Sequence, residues 1–261
     1  MKDQDYKSFY DQVDRDNEYS FCKAADGHSF YPVLSSIIDR YKLKNGRVLE
    51  IGSGNGRFQD IVEDYTGVDV SEGLAGYYKK PFHVVEDGVP YPLESESFDF
   101  VFTHAVFEHI PNIDFALSEM IRVTKRGGLV LFDPAWQCRP WAAEGYQVRP
   151  YKDFNIIGKI YKASIPIREN LLFRLSHVMP KRLIFLILFL INKKVFRKSL
   201  HYRRIKANYQ VYWQSDSDAC NHIDPFLAIL YFRANGFEVI NYPGLAKQFL
   251  VRTGEILLRK K

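Results

Sequence analysis

RVLEIGSGNGRF, residues 47–58, is the stretch on which the fold turns. Its first half is short and apolar, as a buried strand requires, and its second half holds Gly52, Gly54 and Gly56 around Ser53. Glycines at alternate positions remove Cβ atoms where a strand turns sharply, so a ligand can lie against bare backbone. The dinucleotide fingerprint GxGxxG needs glycine where Arg57 stands, and the phosphate-loop pattern GxxxxGK[ST] does not fit either. A tight turn without ligand is the bland alternative.

Outward from this turn, strand and helix signals alternate. Apolar residues recur at helical spacing from His28 to Tyr41, and 57–65 is expected to be helical after the glycines. Strands are expected at 66–71, 81–88, 98–107 and 129–134. A short polar helix is expected at 72–79, and another helix from Ile113 to Val123, closed by Gly127-Gly128. Several strands are apolar nearly throughout, which favours an α/β fold with a mostly parallel sheet covered on both faces. The alternation lapses for about 85 residues and returns with a helix and strand at 224–242, then a last strand at 254–260. The expected organisation is a cap segment and first helix (1–45), a ligand-binding half (46–134), an insertion after the fifth strand (135–220) and a C-terminal part (221–261).

Acids follow the glycine turn in order. Asp69, followed by Val70, ends the second expected strand, where a carboxylate can accept hydrogen bonds from both ribose hydroxyls. Asp87 ends the third, with Gly88 leaving the backbone open to an adenine amino group. Either acid could instead cap a helix. With Glu50, the three carboxylates fall at the carboxyl ends of parallel strands, where such sheets bind ligands.

RVLEIGSGNGRF, GVDVSEG, EDGVPYPLESESFDFVFTHAVFEHI and EMIRVTKRGGLVLFDP together resemble the class I S-adenosylmethionine-dependent methyltransferases, specifically the type 11 group, over about residues 46–134. The resemblance implies a Rossmann-like seven-stranded sheet with S-adenosyl-L-methionine as cofactor. Glu50, Gly52, Gly54 and Gly56 would border its methionine part, Asp69 its ribose, and Asp87 with Gly88 its adenine. Thr103 and His104, past the fourth strand, would lie beside the methionine part. Ser53 stands where these proteins often have Cys.

Transfer from a sulfonium is an in-line displacement, so the protein mainly aligns the reactants and excludes water. A hydroxyl acceptor usually needs a general base. His104, at the right strand end, and His222, in the polar cluster SDSDACNHIDP (215–225), are the catalytic candidates. His109, after Glu108, is expected to be structural. Asp216 and Asp218 are further candidates, and Asp224 before Pro225 reads better as a helix cap.

The net charge of +5 hides a split. Residues 137–210 hold 16 Lys and Arg against three acids, while the remainder is net acidic. A basic segment on an acidic body points to an anionic partner. Within it, KRLIFLILFLINKKVFRKS (181–199) flanks nine apolar residues with basic ones. It is too short to span a bilayer but suits a helix lying on an anionic membrane surface. A buried lid helix or a dimer contact fits the same stretch. Nucleic acid fits less well, because base methyltransferases often carry an NPPY-like motif where this chain reads THAV (103–106). Cys22, Cys138 and Cys220 lack metal or disulfide spacing, so no metal is expected and a reducing compartment is. The charged N-terminus lacks the apolar core of a secretory signal. These features point to a cytoplasmic protein, free or peripheral at the inner membrane face. The polar cluster and following helix also resemble methyltransferases of bacterial surface-polysaccharide pathways. The leading expectation is O-methylation of a glycan or lipid-linked intermediate. Methylation of a soluble aromatic or other small metabolite, and a non-catalytic cofactor-binding regulator, are the alternatives.

Overall fold

The computed structural model describes residues 6–11 and 25–261, so Cys22 and much of the expected cap segment lie outside the described residues. Helix α1 (Tyr31–Arg40) precedes strand β1 (Val48–Ile51), followed by β2 (Tyr65–Asp69), β3 (Phe82–Val84) and β4 (Phe98–His104). Helix α2 (Ile113–Val123) leads into β5 (Thr124–Asp133). The insertion carries α3 (Ile156–Ala163), α4 (Ile165–Glu169), α5 (Leu171–Ile191) and the short strand β6 (Arg203–Arg204), which pairs with β7 (Asn221–His222) just after it. Helix α6 (Pro225–Ala234), β8 (Phe237–Val239), α7 (Leu245–Leu250) and β9 (Ile256–Lys260) complete the chain.

Seven strands form one sheet in the order β3-β2-β1-β4-β5-β9-β8. The pairings among β1 to β5 are parallel, and β9 runs antiparallel between β5 and β8. This is the Rossmann-like methyltransferase sheet expected from the sequence. The side-chain period of two sends Leu49, Ile51, Val101, Val130 and Phe132 to one face, where they pack with α2 and α6. Val48, Phe100, Phe102, Leu129 and Leu131 pack on the other face with Leu34 and Ile38 of α1. The strand order reverses between β1 and β4, and at such a switch point the crossing loops part and leave a crevice.

Several expected elements are shortened or moved. After the glycine turn only 57–64 remain before β2, and they hold a single 3-10 turn, Gln59–Ile61, rather than a helix to residue 65. Phe58 and Val62 are drawn into the core on either side of that turn. The expected helix at 72–79 is a 3-10 stretch, Glu72–Tyr77, weakened by Gly73 and Gly76. The third strand stops at Val84, before the turn at Gly88. Gly127-Gly128 does not close α2, because the chain is already extended from Thr124. The glycine pair absorbs a register shift, with Phe98 opposite Thr124 but Phe100 opposite Leu129. A Cβ on Gly128 would sit 2.9 Å from the Lys125 carbonyl oxygen, which explains the missing side chain.

The long α5 contains the expected apolar stretch but presents most of it outward. Only Arg182 and Phe189 are buried along it. Arg182 is 1% exposed; its Nε lies 3.1 Å from both Asp224 oxygens, and its Nη1 donates to the Phe249 carbonyl at 2.6 Å. Asp224 also caps α6, accepting from the backbone of Phe226 and Leu227.

Candidate functional site

The crevice at the switch point holds a cavity of about 260 Å³. Gly52, Gly54 and Gly56 all have positive φ (71°, 51° and 70°), a conformation that costs other residues energy. The turn is pinned to β2 by bonds from the Gly52 and Ser53 amides to the Val68 carbonyl. The Gly54 amide donates to Asp69 Oδ2 at 2.9 Å, and Asp69 Oδ1 accepts from Val70 and Ser71 at 2.7 and 3.2 Å. Asp69 thus builds the turn as well as facing the cavity.

Packing, besides ligand approach, explains two of the glycines. A Cβ on Gly52 would lie 2.3 Å from the Val106 side chain, and one on Gly56 2.8 Å from the Tyr78 ring. Gly56 does not line the cavity, contrary to expectation, because Tyr78 covers it. The Tyr78 hydroxyl donates to the Gly54 carbonyl at 2.8 Å and lies 2.6 Å from Ser53 Oγ.

Glu50, Gly52, Ser53 and Gly54 line the cavity with Asp69, Val70, Asp87, Gly88 and His104. Glu50 is buried, accepts from the Tyr65 hydroxyl, and has its carboxyl pushed up to about 8 by loss of solvent. Asp87 Oδ1 accepts from the Asn112 amide at 3.2 Å, which ties the acid to the start of α2. Thr103 is the second correction. It points into the sheet, fully buried, and does not reach the cavity. His222 is the third, since it lines a separate cavity in the insertion. Its Nδ1 donates to the Cys138 carbonyl at 2.9 Å, and burial holds its imidazole below the usual value.

His104 carries a partner that the sequence reading missed. Its Nδ1 lies 2.8 Å from Asp133 Oδ2, because parallel register sets the last residues of β4 and β5 side by side. A carboxylate can only accept, so Nδ1 is the donor in this contact, and in the neutral ring Nε2 carries the lone pair. The ring stacks on Phe30 at 4.2 Å between centroids and remains 30% exposed. A positioned imidazole of this kind can take a proton from an acceptor.

His109 also borders the cavity but is a different kind of group. It sits 3.5 Å from Glu108 and 3.1 Å from Asp218. Burial opposes its charge, yet Glu108 and Asp218 raise it to about 9, so at neutral pH it is a cation and no base. Tyr6 and Tyr10 add further walls, and the Tyr10 hydroxyl donates to Asp218 at 2.7 Å. No periodicity in the N-terminal segment marked these rings. Asp216, beside this group, is raised by burial. Among the described residues no His, Cys, Asp and Glu grouping could hold a metal ion.

The methyltransferase-domain family, type 11, matches residues 49–132. An uncharacterized protein of Methanocaldococcus jannaschii is 35% identical over 103 residues, covering 38% of this chain and 50% of that one. The malonyl-[acyl-carrier protein] O-methyltransferase of Methylococcus capsulatus is 29% identical over 99 residues, 33% of this chain and 36% of that protein. The chain thus spans half or less of the length of these curated relatives. An S-adenosylmethionine-dependent methyltransferase structure from Mesorhizobium loti superposes with a TM-score of 0.50 at 13% identity, covering 91% of this chain and 100% of that one, a likeness of fold alone. The strand order and the glycine turn at the switch point agree with that match: residues 49–132 match the type 11 methyltransferase-domain family and lie on a Rossmann-like sheet.

Proposed function

We propose that this chain is an S-adenosylmethionine-dependent O-methyltransferase acting on a glycan or lipid-linked acceptor at the cytosolic face of a membrane. The observation that carries the oxygen chemistry is the His104–Asp133 pair at the cavity beside the glycine turn. The cavity residues fit the cofactor, since the buried carboxyl of Glu50 at the glycine turn suits the charged methionine part. Asp69 with Val70 would hold the ribose, and Asp87 with Gly88 the adenine. When bound, the cofactor supplies an activated methyl group on a sulfonium. His104 Nε2 would take the proton of the acceptor hydroxyl, while Asp133 would fix the tautomer and steady the imidazolium. Tyr6, Tyr10 and Phe58 wall the cavity, helping to exclude water. The relative named for methylating malonyl-acyl carrier protein is likewise an oxygen methylator by its name.

The outward face of the insertion supports the membrane side of this reading. Ile156, Ile157 and Ile160 of α3 are exposed, as are Leu172, Leu183, Ile184, Leu190 and Ile191 of α5. Lys159, Lys181, Lys193, Lys194, Arg197 and Lys198, next to them in the chain, are exposed as well. An apolar helix face rimmed with basic residues suits a surface of anionic lipid, each cation adding about 1 kcal/mol. Among the described residues no helix is long and apolar enough to cross a membrane. A second reading, a small aromatic acceptor, is favoured by the Tyr6, Tyr10 and Tyr91 rings around the cavity. Incubation with labelled cofactor and fractionated lipids, glycans and metabolites, paired with flotation on anionic vesicles, tests both. Label in a lipid or glycan fraction together with flotation supports the first reading; label in small metabolites without flotation overturns it.

A further inference from the structure

A second cavity of about 230 Å³ opens in the insertion. Among the described residues, the two cavities share no lining side chain. Four arginines line this one, Arg139, Arg168, Arg174 and Arg203, with His177 and His222, against the single carboxylate of Glu169. Glu169 is committed to Arg139, 2.9 Å away, and accepts from Gln147. Among the described residues, no carboxylate comes within ion-pair distance of Arg168, Arg174 or Arg203.

These cations are held in place before any ligand arrives. The Arg168 guanidinium lies 4.2 Å from the Tyr161 ring centre, which fixes its plane and leaves its edge available. Arg174 donates to the Gln137 side-chain carbonyl, a neutral partner that orients it without cancelling its charge. Arg203 of β6 faces His222 of β7 across the strand pair. His177 and His222 each donate Nδ1 to a backbone carbonyl, at 2.8 and 2.9 Å, which fixes both rings in the wall and leaves the arginines as the donors to an anion. Pre-set guanidinium forks of this kind match the oxygens of phosphate bidentately.

We infer that this second cavity binds a phosphate or diphosphate group. Its position ties it to the first site, because the Asn221 amide on β7 donates to the Phe107 and Ile110 carbonyls at 3.0 and 2.7 Å, in the loop that walls the first cavity. An acceptor held by its phosphate in the second cavity would have its body directed toward that loop. Assigning the phosphate to the acceptor rests on the proposed function; the anion site itself does not.

Calorimetric titration of the full chain with inorganic pyrophosphate tests it. Arg174→Gln/Arg203→Gln should weaken binding at least about tenfold, with S-adenosylhomocysteine affinity unchanged within about twofold. Arg203→Gln alone, on an exposed two-residue strand, should weaken it in the same direction and keeps the test open if the double variant fails to fold. Absence of pyrophosphate binding, or equal affinity in the variants, overturns the inference. Vesicles of phosphatidylcholine with phosphatidic acid separate the sources. Release of the protein from them by pyrophosphate identifies a lipid headgroup, and pyrophosphate binding without release identifies a free phosphate compound. Pyrophosphate binding without S-adenosylhomocysteine binding would sink the methyltransferase reading and leave the anion site standing.

Discussion

Glu50→Gln is the most informative single substitution, because the wild-type carboxyl sits at about 8 in the folded chain against an ordinary 4.5. The folded value is the higher one, so between these limits the folded chain holds a proton that the unfolded chain has lost. Stability is therefore fullest on the acid side and falls as pH rises from about 4.5 towards 8. At pH 7 the gap crossed is roughly 2.5 pH units, or about 3 kcal/mol. Glutamine keeps the volume and can still accept from Tyr65, so the variant should be more stable at pH 7 by up to that amount. Its urea unfolding free energy should fall less steeply than that of the wild type from pH 5 to 8, the slope above about 6.5 from the raised His109 remaining in both. The same proton reports on the ligand. About 0.9 of it is present at pH 7 before binding and should leave when a cationic group settles beside the carboxylate. Calorimetry with S-adenosylhomocysteine in buffers of different ionisation enthalpy counts it. A wild-type stability independent of pH across that window, or no proton released on binding, would refute the reasoning.

Replacing His104 with Gln should lower turnover by about 100-fold or more while leaving S-adenosylhomocysteine affinity intact, and Asp133→Asn should act in the same direction through the tautomer. Equal turnover in both variants would remove the general base from the proposal. Asp69→Ala should weaken S-adenosylhomocysteine binding by at least about 1 kcal/mol, measured by calorimetry, since it removes the acceptor for the Gly54 amide as well as the proposed ribose contact. Arg182→Met should cost about 3 kcal/mol in denaturant unfolding, because Asp224 is left with a largely buried and unpaired charge.

Much of the fold was legible because its signals are local. The apolar spacing from Ile113 to Val123 marked α2 at both ends, and Asp224-Pro225 marked the start of α6. The glycine turn and the acids after β2 and β3 could be placed on one edge of the sheet from strand order alone. The His104–Asp133 pair could not be, because it needs the register of two strands whose ends are 29 residues apart in the chain. Gly56 carried a correct signal for the wrong reason, since only the fold brings Tyr78 over it. Thr103 was placed near the ligand by the family resemblance and His222 made a candidate by its polar cluster, yet strand alternation turns the first into the core and the β6–β7 pair carries the second to the other cavity. Residues 57–65 show apolar spacing compatible with a helix, and the short crossover to β2 overrides it.

The arginine sunk in the otherwise greasy seam of α5 acts as a key for alignment. Hydrophobic side chains pack with little preference for one offset over another, so a helix this uniform could slide or roll against its neighbour at small cost. Sliding α5 by one turn would strand the guanidinium among hydrocarbon and leave Asp224 facing a methyl group, an arrangement penalised from both sides. Because Asp224 also begins α6, the long helix of the insertion is indexed to the sheet domain by a charged contact, and whatever settles on its outward face meets it at one fixed height.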